Sequence, residues 1–132
     1  PITIPNFFFA ETPILNFSKR HHRRINWTIG LEYKTTINQL QQIISDIKNY
    51  LQNSSDFLNN EQYRYHVYID KFNDSSIDIF VYVYTQTSDY IEYLKLKESL
   101  AYKIKIIVEQ NKSNFAFPSR TVYQENSTDE IS

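Results

Sequence analysis

Cysteine is absent from this 132-residue chain, which excludes disulfides, thiolate zinc sites and cysteine nucleophiles and suits a reducing compartment. Glycine occurs once, at Gly30. Glycine-rich phosphate loops and dinucleotide fingerprints need several glycines at fixed spacing, so neither is encoded. An excess of charge of either sign is also missing. With a net charge of -1, no bulk field favours nucleic acid or an acidic partner. No apolar run approaches the roughly 20 residues of a spanning helix, and the signature of a secretory leader is not present, so the segment reads as soluble. It starts at Pro1 rather than Met, as expected of a piece of something longer.

What is present suffices for one domain. Hydrophobic residues make up 41% of the chain, enough for a single core. The excess of Asn, Ile, Lys and Tyr reads as the signature of an AT-rich genome rather than of a chemistry. The strongest local signal is Asp74–Tyr93. Its first half, Ile77-Asp78-Ile79-Phe80-Val81-Tyr82-Val83-Tyr84, is β-branched and aromatic without interruption, as in a central strand covered on both sides. Its second half opens a helix, with Thr87 or Ser88 as the cap and Asp89 and Glu92 in the first turn.

Around this axis the chain divides as follows. Ile2–Ile4 and Ile14–Ser18 read as short strands. Between them Phe7-Phe8-Phe9 either packs back on the domain or against something outside this chain. Lys19–Arg24 (Lys-Arg-His-His-Arg-Arg) is the one charge run. It has no interleaved aromatics, so a solvated linker is the simpler reading than a phosphate footprint. The adjacent His21 and His22 point to opposite faces of an extended chain and do not make a metal pair. Ile25–Tyr33 alternates, with Ile25, Trp27, Ile29, Leu31 and Tyr33 on the buried face and Trp27 as a core anchor.

Thr36 and Gln39 fit a capping box for a helix to Asn53. Its stripe is Ile37, Leu40, Ile44, Ile47 and Leu51, joined by Ile43. Tyr63–Phe72 is the next strand, with His66 on its polar face. Asn73-Asp74-Ser75 turns it into the central strand as an antiparallel hairpin. Asp70, Asp74 and Asp78 recur every fourth residue but lack the alternating ligands and glycine of a calcium loop. The second helix runs from about Ser88 to Lys112. Its stripe is Tyr90, Leu94, Ala101, Ile104 and Val108, flanked by Tyr93, Leu100 and Ile107, and Lys97 snorkels out of it. Arg120–Tyr123 reads as a last strand, and from Gln124 the chain turns polar.

The order from Ile25 is therefore β-α-β-β-α-β. This is an α+β, ferredoxin-like split sandwich with two helices on one face of a small sheet, preceded by the end of a β-domain. The fold alone assigns no function. No constellation of Ser, His, Asp or Glu makes a catalytic site, and no cofactor or metal site is expected.

Several stretches carry a resemblance. Thr3-Ile4-Pro5-Asn6, Ile14-Leu15-Asn16-Phe17-Ser18, Arg23-Arg24-Ile25, Ile29–Thr36 and Ser75-Ser76-Ile77-Asp78-Ile79 occur in the order found in the cytoplasmic part of the small-conductance mechanosensitive (MscS-like) channel family. The most specific stretch is Phe115-Ala116-Phe117-Pro118-Ser119-Arg120-Thr121-Val122-Tyr123. It is similar to the family signature Phe-Ala-Phe-Pro-x-x-Thr-aliphatic-Tyr. The run Phe7-Phe8-Phe9 departs from the family, which is more polar there.

The resemblance implies a bacterial inner-membrane channel, a homoheptamer that opens under tension and releases ions and small solutes on hypo-osmotic shock. Its spanning helices and pore lie upstream. Residues 1–18 correspond to the tail of the middle β-domain, 19–123 to the α/β domain of the cytoplasmic vestibule, and 124–132 to a polar tail. No enzyme activity is implied, and the isolated fragment is expected to be monomeric or weakly associated. The alternative is a free-standing βαββαβ module for RNA or a small ligand, with Tyr65, Tyr82 and Tyr84 as the stacking surface and Lys19–Arg24 as the charge.

Overall fold

The computed structural model describes residues 9–11, as backbone, and 22–117. The elements are β1 (Phe9–Glu11), β2 (Arg24–Glu32), α1 (Ile37–Asn53), β3 (His66–Phe72), β4 (Ser76–Tyr84) and α2 (Tyr90–Gln110). The strands expected at residues 2–4, 14–18 and 120–123 and the polar tail lie outside the described residues.

β4 is the central strand because it carries the longest β-branched run and can pair on both edges. It is antiparallel to β2 along Arg24↔Tyr84 to Glu32↔Ser76 and to β3 along His66↔Tyr82 to Phe72↔Ile77. The sheet order is β1-β2-β4-β3. The β3–β4 hairpin forms where Asn73-Asp74-Ser75 predicted it, closed by Asn73 N–H to the Ser76 carbonyl at 2.7 Å. A register shift between Ile69 and Lys71 leaves Asp70 as an extra residue in the edge strand, a bulge of the kind that blunts exposed edges.

On the helix side of the sheet, Ile25, Trp27, Ile29 and Leu31 meet Ile77, Ile79, Val81, Val83 and Val67. Over them lie Leu40, Ile43, Ile47 and Leu51 of α1 and Leu100, Ile104, Ile107 and Val108 of α2. Each helix sits on the sheet because its apolar residues recur at helical spacing. α1 is tied down as the sequence requires. Thr36 caps it in a capping box with Gln39: the Thr36 hydroxyl accepts from Gln39 N–H at 3.2 Å, and Gln39 Oε1 accepts from Thr36 N–H at 2.7 Å.

Several expectations are corrected. Tyr33 is exposed rather than buried, because β2 ends at Glu32 and the chain leaves the sheet in a turn. Ile37 is exposed in the first turn of α1. The cap of α2 is Asp89, whose carboxylate accepts from Glu92 N–H at 2.8 Å. Thr87 instead accepts from Asp89 N–H at 3.0 Å. The buried stripe of α2 is Tyr93, Leu96, Leu100, Ile104, Ile107 and Val108. Tyr90 and Leu94 face outward. The second face of β4 (Asp78, Phe80, Tyr82, Tyr84) is half-buried rather than covered by a helix layer.

The edge of β2 is shared. Phe9–Glu11 pairs with Ile29–Trp27, while the chain after α2 returns antiparallel to the end of the same strand. There Glu32 N–H reaches the Asn114 carbonyl at 3.0 Å and Ala116 N–H reaches the Gly30 carbonyl at 2.9 Å, with a bridge between Leu31 and Phe115. A split βαβ sandwich places its last strand beside its first, and the chain is on that course at Phe115.

Candidate functional site

The sheet's second face and the point where the chain enters β2 hold most of the unusual side-chain chemistry. Strand alternation puts Arg24, Asn26 and Thr28 on this face, with Phe80, Tyr82 and Tyr84 from β4 and His66 and Tyr68 from β3. The rings touch in series. His22 lies 4.8 Å from Tyr63, Tyr63 lies 4.9 Å from Tyr84, Tyr84 lies 5.8 Å from Tyr82 and Tyr82 lies 5.8 Å from His66, all edge to face. Such geometry adds to area burial because ring edges meet ring faces. His22 Nδ1 and Asn26 Oδ1 are buried without a hydrogen-bond partner, so polar matching is incomplete here.

Arg23 and Arg24 are not a solvated linker. Adjacent residues in extended chain project to opposite sides, and each guanidinium finds a pair of rings. Arg24 lies 5.2 Å from the ring centre of Tyr82 and 6.0 Å from that of Tyr84, and its Nη1 donates to the Tyr82 hydroxyl at 2.8 Å. Arg23 lies 5.2 Å from Tyr90 and 5.8 Å from Tyr93, with Nε donating to the Ser88 carbonyl at 2.9 Å. Backbone bonds lock the same place: Arg23 N–H to the Thr87 carbonyl at 2.9 Å, and Thr85 N–H to the Arg23 carbonyl at 2.7 Å. Tyr93 OH donates to the Arg24 carbonyl at 3.2 Å. The basic pair therefore joins the start of β2 to the end of β4 and to the first turn of α2. Nothing in the sequence spacing announces this, because the partners lie some sixty residues downstream.

Of the tyrosines considered for stacking nucleic acid, Tyr82 and Tyr84 share this face. Tyr65 does not, because it packs against the core on the helix side and donates to Gln52 Oε1 at 3.3 Å. Burial is the main cause that raises the Tyr84 hydroxyl above its ordinary pKa. The bond and charge of Tyr82 add to this, and Arg24 opposes it.

Asp78 of β4 serves the hairpin. Asp78 accepts from Asn73 Nδ2 at 2.8 Å and from Ser76 Oγ at 3.3 Å. Among the described residues no three His, Cys, Asp or Glu gather as a metal-binding group, and no helix is long and apolar enough to cross a membrane. A groove of about 610 Å³ opens between the C-terminal halves of the helices. It is lined by Asp46, Tyr50, Lys103 and Gln110 among others. Two of its charged side chains are engaged: Asp46 Oδ2 accepts from Asn111 Nδ2 at 3.1 Å, and Lys103 lies over Tyr50 at 5.7 Å.

The described residues form a small α+β domain whose chain junction is tied down by backbone and side-chain bonds. Comparison with known proteins places it. Residues 25–115 match the family model described as mechanosensitive ion channel MscS, C-terminal. The chain belongs to the MscS family of mechanosensitive ion channels. It is 40% identical over 124 residues to an uncharacterized MscS family protein of Aquifex aeolicus, covering 94% of this chain and 33% of that protein. It is 33% identical over 128 residues to the low conductance mechanosensitive channel YnaI of Escherichia coli, covering 97% and 36%. The chain thus spans about a third of the length of these relatives.

Among solved structures, the closed-state Helicobacter pylori MscS superposes with a TM-score of 0.58 at 20% identity, over 81% of this chain and 40% of that one. Wild-type AtMSL1 gives 0.65 at 16% identity, over 76% and 35%. At these identities the structures bear on the fold alone, and they carry the same α+β arrangement. The family is one of ion channels, and its members are membrane proteins.

Proposed function

We propose that this chain is the lower part of the cytoplasmic vestibule of a bacterial inner-membrane channel that opens under tension and releases ions and small solutes on hypo-osmotic shock. The observation that carries the reading is the family match across residues 25–115, which spans β2 to the return strand at Phe115. In this reading residues 1–18 end the middle β-domain, 19–123 form the α/β domain and 124–132 are a polar tail. Pairing of β1 with β2 then ties the end of the β-domain to the sheet below it. The partner is a further copy of the same chain, in a heptamer, and permeating ions and solutes pass without a catalytic step or cofactor. The membrane is met only through helices upstream of this segment.

The test is expression of the full-length protein in a bacterial strain stripped of its own mechanosensitive channels. Restored survival of osmotic downshock, with tension-gated currents in membrane patches, is expected; absence of both with normal expression overturns the reading. The RNA-module alternative loses ground, because the proposed stacking trio is split between two faces of the sheet and the net charge is -1.

A further inference from the structure

Two segments claim the outer edge of β2. Glu32 N–H reaches the Asn114 carbonyl at 3.0 Å, and the Gly30 carbonyl accepts from Ala116 N–H at 2.9 Å. Alternation along an antiparallel ladder then turns the backbone groups of Thr28 and Asn26 to the same edge. The return strand holds the first part, with Phe115 opposite Leu31. β1 holds the next, with Phe9, Ala10 and Glu11 opposite Ile29, Thr28 and Trp27. Both segments run antiparallel to β2, so they meet end to end. A strand continuing in register from Phe115 would run into β1. That register sets Phe117 opposite Ile29, Ser119 opposite Trp27 and Thr121 opposite Ile25. On the other face it sets Pro118, Arg120 and Val122 opposite Thr28, Asn26 and Arg24.

Two side chains are badly placed while β1 holds the edge. Alternation gives Phe117 the side of the sheet on which Phe115 packs against the core, yet Phe117 is 79% exposed. Asn26 is buried on the second face, and its Oδ1 has no hydrogen-bond partner. A buried acceptor left unmatched costs free energy. Arg120, opposite Asn26 in the continued register, brings five N–H donors to the same face. The residues that follow it, Thr121, Val122 and Tyr123, are strand formers. β1 has the better claim at one position. Pro118 has no N–H to give Thr28, whereas Ala10 does.

We propose that this edge is exchangeable. Residues 117–123 take the seat of β1 along Ile29–Arg23, Arg120 donates to Asn26 Oδ1, and β1 leaves the sheet. In the channel reading above, on which this consequence alone rests, the exchange unties the end of the middle β-domain from the domain below it.

Cysteine pairs report which segment is seated, because residues directly opposite in such a ladder lie within disulfide reach. The chain has no cysteine of its own, and any cysteine elsewhere in the full-length protein is removed first. One full-length variant carries Ala10→Cys with Thr28→Cys, the other Asn26→Cys with Arg120→Cys. Both are oxidised mildly, and the disulfides are mapped by peptide mass spectrometry and non-reducing gels.

Each pair is expected to close within one chain. Ala10→Pro, which removes the β1 donor to Thr28, should raise the yield of the Asn26–Arg120 disulfide by about fivefold, the effect of one ladder hydrogen bond. Reciprocally, Arg120→Glu sets an acceptor against an acceptor and should raise the yield of the Ala10–Thr28 disulfide. Closure of the Ala10–Thr28 pair alone, with or without Ala10→Pro in the other variant, overturns the proposal. So do yields that ignore both Ala10→Pro and Arg120→Glu. Disulfide-linked dimers from the Asn26–Arg120 pair overturn it in favour of strand exchange between copies. The downshock assay tests the channel reading separately, and that reading survives each of these failures.

Discussion

At the scale of single residues, burial separates positions that look alike in the sequence. Ile79 and Leu94 are both aliphatic and both read as core. Ile79 is fully buried, and Leu94 is 36% exposed. Truncating a buried Ile leaves a cavity and costs about 2–5 kcal/mol, whereas an exposed helix position changes stability by about 0.5 kcal/mol or less. Ile79→Ala is therefore expected to lower the unfolding midpoint sharply and Leu94→Ala barely, in parallel denaturant titrations. Gly30 is dispensable by the same logic. Its backbone is not left-handed, and an added Cβ would meet nothing closer than Asp78 Oδ1 at 3.5 Å. Gly30→Ala should keep or raise stability, by up to about 1 kcal/mol, because it removes freedom from the unfolded chain.

Tyr84 sets a pH dependence. Its hydroxyl is raised above the ordinary value of 10.0, chiefly by burial. The fold therefore holds the proton more tightly than the unfolded chain does. The stabilisation is complete below pH 10 and is lost as pH climbs through the raised folded value. Tyr50 is raised for the same main reason, with Asp56 adding to it. Midpoints measured from neutral pH upward should fall in the alkaline range, and Tyr84→Phe should make that fall shallower; an unchanged profile in Tyr84→Phe would sink the assignment.

At the scale of elements, helix ends offer a direct test. α2 closes with a hydrogen-bonded double turn: Ser113 N–H to the Val108 carbonyl at 3.1 Å and Lys112 N–H to the Glu109 carbonyl at 3.0 Å. This geometry wants glycine at the position held by Lys112, whose φ is 63°. The left-handed conformation costs a non-glycine residue about 1–2 kcal/mol, against roughly 0.5–1 kcal/mol for glycine's extra entropy. Lys112→Gly should raise stability by several tenths to about 1 kcal/mol in thermal unfolding, and a fall would show that the lysine side chain contributes something the turn does not need.

What was legible in the sequence was local. The capping box at Thr36 and Gln39, the hairpin at Asn73–Ser75, the alternation of β2 and the central place of β4 all follow from residues within a few positions of one another. The second half of α2 was legible too, with Ile104, Ile107 and Val108 inward, but its first half was not, because apolar residues at Tyr90 and Leu94 compete with Tyr93 and Leu96 for the same face. Only the sheet decides that Tyr93, Leu96 and Leu100 face inward. The clamps of Arg23 on Tyr90 and Tyr93 and of Arg24 on Tyr82 and Tyr84 were hidden for another reason. They depend on strand pairing between distant segments, and a basic run looks the same whether its charges meet water or rings.

At the scale of the whole molecule, the question is how much of a ring this segment can hold by itself. The core is self-sufficient: buried residues of both helices and three strands form one cluster, and no buried charged group waits for a partner chain among the described residues. The surfaces left for self-association are short. The exposed apolar side chains, Ile91, Leu94, Tyr102 and Ile106 on α2 and Tyr68 and Phe72 on β3, are few and interspersed with charge, below the roughly 800 Å² per side that stable interfaces bury. Association also carries an entropic cost of several kcal/mol, about 4–15, which a contact of that size offsets poorly. The isolated chain should therefore be monomeric or weakly and concentration-dependently associated, although family chains are about three times as long and are proposed to form heptamers. Light scattering across a dilution series measures this, with mass expected to fall to that of one chain on dilution. Ile106→Lys should abolish whatever association remains at high concentration without moving the unfolding midpoint, because Ile106 is 45% exposed and outside the core cluster. A heptamer that persists at nanomolar concentration would place the assembly information in this segment and overturn that expectation.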